Sequence, residues 1–419
     1  MILHELLTYE TLRAIWWVLL IGFAATDGFD LGVGMLLPFA GQTDPERRIV
    51  INTIGPVWEG NQVWLVLGSG AILAAWPPLY AVSFSGFYLA MFAILAALIL
   101  RPVGFKYRSK RESARWRRNW DWALFIGGFV PSLIFGVAVG NLLLGVPFRL
   151  GSDLRIFYDG GFCGLPSVAM LAMHGAAWLV LKTSGPVAGR ARRFGRWAAM
   201  ATVLLYAAGG LALWLFVDGD RIAGAVDPNG PSNPLAKTVE LAPGAWFANY
   251  AAHSWMLAAP AFGFLGALGV LWSLKTGREV RTLLLSKLAI FGIISSVGLS
   301  MFPFILPSSV MPGASLTVWD ASSSHLTLFI MLVCTGIFLP IIATYAAWAY
   351  RVLWGKVEEK EHHRGRPRLL KGQQRNVVFR MDPGPAAGRH LRGAERDVVR
   401  DDGGQGRRRA GQRKRLNGR

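Results

Sequence analysis

Charge is scarce in this chain. Of 419 residues only 16% are Asp, Glu, Lys or Arg, where a soluble domain carries about a quarter. Cysteine is scarcer still. Cys163 and Cys334 are the two present, far apart and each in or beside an apolar run. No CxxC or Cys/His cluster exists, so no zinc or iron–sulfur site can be read, and both cysteines read as small buried hydrophobes. There is no GxxxxGK[ST] phosphate loop, no HExxH and no Gly-rich dinucleotide turn, so the sequence supplies no redox centre or nucleophile of its own. No cleavable signal peptide is expected: the first apolar run continues past Leu36 without a small-residue cleavage site and reads as a retained span.

What is abundant is apolar sequence. Hydrophobic residues make up 53% of the chain, the mean hydropathy is +0.37, and the 17 tryptophans suit membrane–water interfaces. Nine apolar runs, about 11–38, 56–75, 79–101, 121–145, 162–182, 197–217, 247–274, 282–306 and 325–350, approach the length a membrane-crossing helix needs. The expected fold is therefore an all-α polytopic membrane protein of about nine transmembrane helices. Loop charge gives its orientation. Arg47 and Arg48 follow the first run; Lys106, Arg108, Lys110, Arg111, Arg115, Arg117 and Arg118 follow the third. Lys182, Arg190, Arg192, Arg193 and Arg196 follow the fifth, and Lys275, Arg278, Arg281 and Lys287 the seventh. The alternate loops are poor in Lys and Arg, so the positive-inside rule predicts an external N-terminus and a cytoplasmic C-terminus.

Composition changes near Gly355. Residues 356–419 hold no apolar run but many arginines and glycines, and much of the +19 formal charge. Such a segment cannot bury enough apolar area to offset its ordering entropy, and the expectation is a disordered basic tail after a helical domain over 1–355. Adjoining a span on the cytoplasmic side, its basic charge points to anionic lipid and not to nucleic acid.

Ionisable residues inside spans carry the functional signal, because a charge near the bilayer centre costs about 2.5–3.5 kcal/mol on insertion scales. Asp27 and Asp30 lie in the first run with i, i+3 spacing, which on a continuous helix places both carboxylates on one face. Glu59 sits one turn into the second run and Arg101 closes the third, before Pro102. Asp30 is about eight residues, roughly 12 Å, from the cytoplasmic end of its span. Three consecutive helices are thus expected to gather three carboxylates and a guanidinium in the inner third of the membrane. Carboxylates in low dielectric hold protons more tightly than in water, which suits a proton relay, and a nearby Arg opposes that shift. The alternative is an ion-pair cluster that only fixes helix register. His174, in the middle of the fifth run, and His253, nearer the outer end of the seventh, are not at matching depth, so no axial haem pair is expected.

These residues also resemble a family, subunit II of the cytochrome bd-type quinol oxidases. The resemblance is carried by Trp16–Trp17 with Thr26–Asp27–Gly28–Phe29–Asp30, Glu46–Arg47–Arg48, Trp58–Glu59–Gly60–Asn61–Gln62–Val63–Trp64, and Phe84–Ser85–Gly86–Phe87–Tyr88. It continues through Arg101–Pro102–Val103–Gly104–Phe105, Gly140–Asn141–Leu142–Leu143, Met301–Phe302–Pro303–Phe304 and Ala314–Ser315–Leu316–Thr317 with Trp319–Asp320–Ala321. The resemblance implies two four-helix bundles plus one peripheral helix, in the bacterial inner membrane. It implies a hetero-oligomer with a subunit I that binds haems b and d and oxidises quinol, with room for a small accessory subunit. Subunit II itself is expected to bind no cofactor and no metal. Asp30, Glu59 and Arg101 match the family's polar positions at this site; with Asp27 they are the candidate proton path, and Trp64 marks a candidate oxygen path. Glu59 stands where some members have Asp, and the Arg-rich tail departs from the family, whose chains end soon after the last span. A proton-coupled secondary transporter and a purely structural membrane scaffold are the competing readings. Because the tail cannot build a core, deleting residues 362–419 is expected to leave assembly and oxygen turnover nearly unchanged, measured on the purified complex.

Overall fold

The computed structural model describes residues 7–26, 28–149 and 161–357. The tail expected from residue 356 lies, beyond Val357, outside the described residues, as does Asp27. The fold is helical. The helices are α1 (Tyr9–Thr26), α2 (Phe29–Ala40), α3 (Asp44–Ile54), α4 (Trp58–Ala75), α5 (Pro77–Gly86), α6 (Tyr88–Tyr107) and α7 (Ala114–Leu144). They continue with α8 (Gly164–Lys182), α9 (Gly185–Phe216), the short α10 (Ala248–Ala252), α11 (Ala258–Thr276), α12 (Glu279–Met301) and α13 (His325–Val352). Two antiparallel ribbons, β1 (Asp218–Ile222) with β2 (Val239–Pro243) and β3 (Phe304–Leu306) with β4 (Leu316–Thr317), close the loops at one end.

Among the described residues seven helices are long and apolar enough to cross a membrane, and eight if the bent pair α4–α5 is one span. Several of the expected runs are therefore broken. The first divides into α1 and α2 around Gly28, whose backbone is extended at φ −164°. The apolar stretch 79–101 is shared between α5 and α6, and α4 meets α5 at a bend of 119°. Pro77 and Pro78 cause that bend: proline removes a helical donor and forces the preceding Trp76 out of helical backbone. The run 247–274 divides likewise, leaving His253 exposed in the turn after α10 and outside the long helix α11.

α2, α6 and α7 pack together, α1 packs against α4 and α12, and α8, α9, α11 and α12 form a four-helix group. α13 lies at the periphery against α1 and α4. Leu328 is its one buried residue, so Cys334, expected in a core, is exposed on a helix that packs on one side only. Cys163 is half-buried at the start of α8. Helix ends follow local chemistry. Thr43 and Glu46 form a reciprocal capping box at α3, Ser113 and Ser324 cap α7 and α13, and Gly277, at φ 72°, ends α11.

The two groups meet where α2 crosses α8, and glycine permits the approach. A Cβ on Gly175 would stand 2.2 Å from the Gly32 carbonyl carbon, and one on Gly32 would stand 2.0 Å from the Leu171 oxygen. Backbone cannot yield as a side chain can. Gly175→Ala is therefore expected to lower stability by about 3 kcal/mol or more through overpacking, read as a fall in Tm of the detergent-solubilised complex. An unchanged Tm would show that the helices separate without cost.

Candidate functional site around Asp30

Asp30 occupies the first turn of α2, immediately after the break at Gly28, and is 1% exposed. Three helices face it. From α4, Asn61 Nδ2 donates to Asp30 Oδ2 at 2.8 Å. From α6, Arg101 Nη2 stands 3.8 Å from the same oxygen, an ion pair but not a direct hydrogen bond. From α13, the Tyr350 hydroxyl donates to Asn61 Oδ1. Among the described residues Arg101 Nη2 makes no hydrogen bond. A cavity of about 10 Å³ opens beside it, lined by Asp30, Arg101, Gly34, Ile54, Phe105 and Leu124. That is about the space one water needs.

Glu59 is not part of this cluster. It is exposed on the first turn of α4, facing away from Asp30. The reason is helical geometry: residues two apart lie on nearly opposite faces, so once Asn61 turns to Asp30, Glu59 must turn outward. The expected gathering of three carboxylates thus becomes one buried Asp–Arg pair and one outward-facing Glu, with Asp27 outside the described residues. Trp64 is half-buried one turn further along α4, its ring tilted against Phe23 at 6.3 Å. His174 is 1% exposed, its Nδ1 hydrogen-bonded to Ser286 Oγ at 2.8 Å and its ring edge-on to Phe29.

The family model for cytochrome bd terminal oxidase subunit II matches residues 9–353, most of the chain and all of the Asp30 site. The chain belongs to that family. It is 45% identical over 373 residues to cytochrome bd-I ubiquinol oxidase subunit 2 of Escherichia coli strain K12, covering 86% of this chain and 98% of that one. Against the cytochrome bd ubiquinol oxidase subunit 2 of Bacillus subtilis the identity is 31%, covering 82% and 95%. Its fold is similar to a chain in the structure of the bd oxidase from Geobacillus thermodenitrificans, with a TM-score of 0.61 at 17% identity, covering 83% and 98%.

In this bd subunit II fold, residue reasoning from the sequence missed Asn61 and Tyr350. Asn61 carried a usable signal, a polar amide inside an apolar run two residues after Glu59; Tyr350 carried none, since a Tyr at a helix end reads as an interfacial anchor. Also unread was how the basic end pairs its charges. Asp121 binds Arg108 at 2.5 Å and Arg47 at 3.0 Å, while Asp44 binds Arg108 and Arg117. Partial burial of Glu46 is outweighed by its Arg190 partner and the Thr43 and Gln42 amides, which hold its carboxyl down at about 2. Among the described residues no group of three or more His, Cys, Asp or Glu could hold a metal ion.

The opposite end is knitted by buried polar groups. Arg13 hydrogen-bonds Ser322, Ser232 and the Pro228 and Gly230 carbonyls; Lys237 pairs with Asp320 at 2.5 Å. Asp220 accepts a hydrogen bond from Ser315 at 2.5 Å. Burial pushes its carboxyl up from 3.8 to about 6, against the Ser315 hydrogen bond and the Lys237 charge, which both lower it. An acid with a raised folded pKa binds its proton more tightly folded than unfolded, so stability falls as pH rises from its ordinary value through the folded one. Asp220→Asn is accordingly expected to raise stability by up to about 3 kcal/mol at a pH of about 7.5, with the gain gone by about pH 4. Thermal unfolding across that range checks both the sign and the convergence.

Proposed function

We propose that this chain is the haem-free subunit II of a bacterial respiratory quinol:oxygen oxidoreductase, sitting beside a subunit I that holds haems b and d, and that its polar residues deliver protons from the cytoplasm. The family membership supports the oxidase, and the buried Asp30–Arg101–Asn61 cluster in an otherwise apolar span supports the proton route. Reduction of oxygen to water at the haems consumes protons, which must cross low-dielectric protein. The N-terminus is external and the basic end, where Arg47, Arg108 and Arg117 gather, is cytoplasmic.

The two carboxylates have different tasks. Glu59 lies on the outer face of α4, where a lipid-exposed charge would be costly, and a protein neighbour relieves that cost. It is the station from which a proton passes to the partner subunit. Asp30 is the buried station. Arg101 stands beside its carboxylate, and the neighbouring cavity admits a water to carry the proton. Asp27, adjoining the helix break before Asp30, belongs to the same route. Trp64, half-buried among apolar side chains beside Phe23, marks an apolar path for oxygen.

The chain's residues do not fit a haem of their own. His174 is engaged by Ser286 and packed against Phe29, and exposed His253 is no partner for it. A secondary transporter would place its carboxylates at helices broken near the midplane. Here Glu59 opens a helix at the basic end and faces outward, which favours hand-over to a neighbour.

Glu59→Gln and Asp30→Asn keep shape and hydrogen-bonding capacity while removing the titratable groups. In assembled complexes of normal haem content each is expected to lower oxygen turnover about tenfold to a hundredfold between about pH 6 and 8.5, the range that proton-transfer groups command. Unmodified turnover in both would make the cluster structural and the scaffold reading correct.

A further inference from the structure

α13 is apolar and exposed along nearly all its length, with Ile330, Ile337, Ile341 and Trp348 facing outward and Leu328 alone buried. Yet one polar side chain near its end turns inward. The Tyr350 hydroxyl reaches across α4 to Asn61 Oδ1, and Asn61 Nδ2 in turn donates to Asp30 Oδ2 at 2.8 Å. The order of this chain matters. An amide presents an oxygen on one side and two N–H donors on the other, so a hydroxyl donating to the oxygen leaves the donors for the carboxylate. Hydrogen bonds in series also polarise one another, so the Tyr350 contact strengthens the donor aimed at Asp30.

Tyr350 is itself held in place. Its ring stands edge-on to Trp178 of α8 at 5.9 Å. Three residues later the chain is clamped to the end of the same helix: Lys182 Nζ donates to the Leu353 oxygen at 2.7 Å and the Gly355 oxygen at 3.4 Å. The Val357 amide donates back to the Lys182 oxygen at 2.7 Å. The end of a peripheral helix is thereby fixed against α8, and its hydroxyl is fixed against α4.

We infer that Asn61 and Tyr350 are positioning residues for the Asp30 carboxylate, so that the seating of α13 sets the geometry in which Asp30 takes up and releases its proton. This rests on the proton-route reading above for its effect on turnover, but not for its effect on the carboxylate itself. Neither residue exchanges a proton in the sequence proposed; both act through Asp30.

The test uses the complete complex carrying Tyr350→Phe, Asn61→Ala or both. Tyr350→Phe removes one oxygen and keeps the ring against Trp178, and Asn61→Ala keeps a good helix former, so one variant serves if the other fails to assemble. Asn61→Ala is expected to lower oxygen turnover about tenfold, the scale of a hydrogen bond to a charged group, and Tyr350→Phe about fivefold, the scale of a neutral one. Haem content and the KM for quinol stay unchanged. The double variant loses no more than Asn61→Ala alone, because both act through one chain. Infrared difference spectra, with the Asp30 band identified by its loss in Asp30→Asn, are expected to show that band displaced in both single variants. An undisplaced band, or losses that add in the double variant, overturns the inference. Full turnover in both Asp30→Asn and Glu59→Gln overturns the proton-route reading instead, and the band position still decides the positioning role.

Discussion

A carboxylate and a guanidinium share the interior of this protein at 3.8 Å, with 1% and 3% of their surfaces exposed. Removing one partner from such a pair leaves an uncompensated charge at a cost of about 3–5 kcal/mol. The surrounding helices must therefore arrive together and in register: α2 brings Asp30, α6 brings Arg101, and α4 and α13 complete the carboxylate's surroundings through Asn61 and Tyr350. At 3.8 Å the two groups form an ion pair without a direct hydrogen bond, and a water-sized cavity lies beside them.

Glycine makes that convergence affordable in space. Gly32 against Gly175 and Gly34 against Gly128 let α2 sink between α7 and α8 to backbone contact. In hydrocarbon there is little hydrophobic force between helices, so such close van der Waals packing supplies much of their association. The break at Gly28 belongs to the same design. It ends α1, starts α2, and places Asp30 in a first helical turn, where the free N–H groups favour a negative charge.

The two ends of the molecule handle charge differently. At the basic end Asp44, Glu46 and Asp121 are each matched to arginines across helices, which fixes α3, α7 and α9 relative to one another. At the other end Arg13 and Lys237 tie the 218–243 hairpin and the segment before α13 onto α1. Between the two ends the Asp30 cluster stands in an apolar interior, where charges are screened far less than in the pairs at the ends.

Sequence alone determined the class of this protein and much of its family signature. Runs of apolar residues with basic loops at alternate ends admit little other than a helical bundle in a membrane, because a lipid-exposed backbone must satisfy its own hydrogen bonds. The same reasoning found Asp30 and Arg101, since a charge in an apolar run announces itself. Helix continuity and facing were decided only by tertiary structure. The break at Gly28, the turn at Trp76 and the division before α11 depend on how neighbouring helices pack, not on local hydropathy. Whether Glu59 or Asn61 faced Asp30 was a choice of rotation about the α4 axis, and two residues of spacing forbade both. Tyr350 was illegible for a plainer reason: it comes from the far end of the chain, 289 residues from Asn61, and only folding brings its hydroxyl to the site.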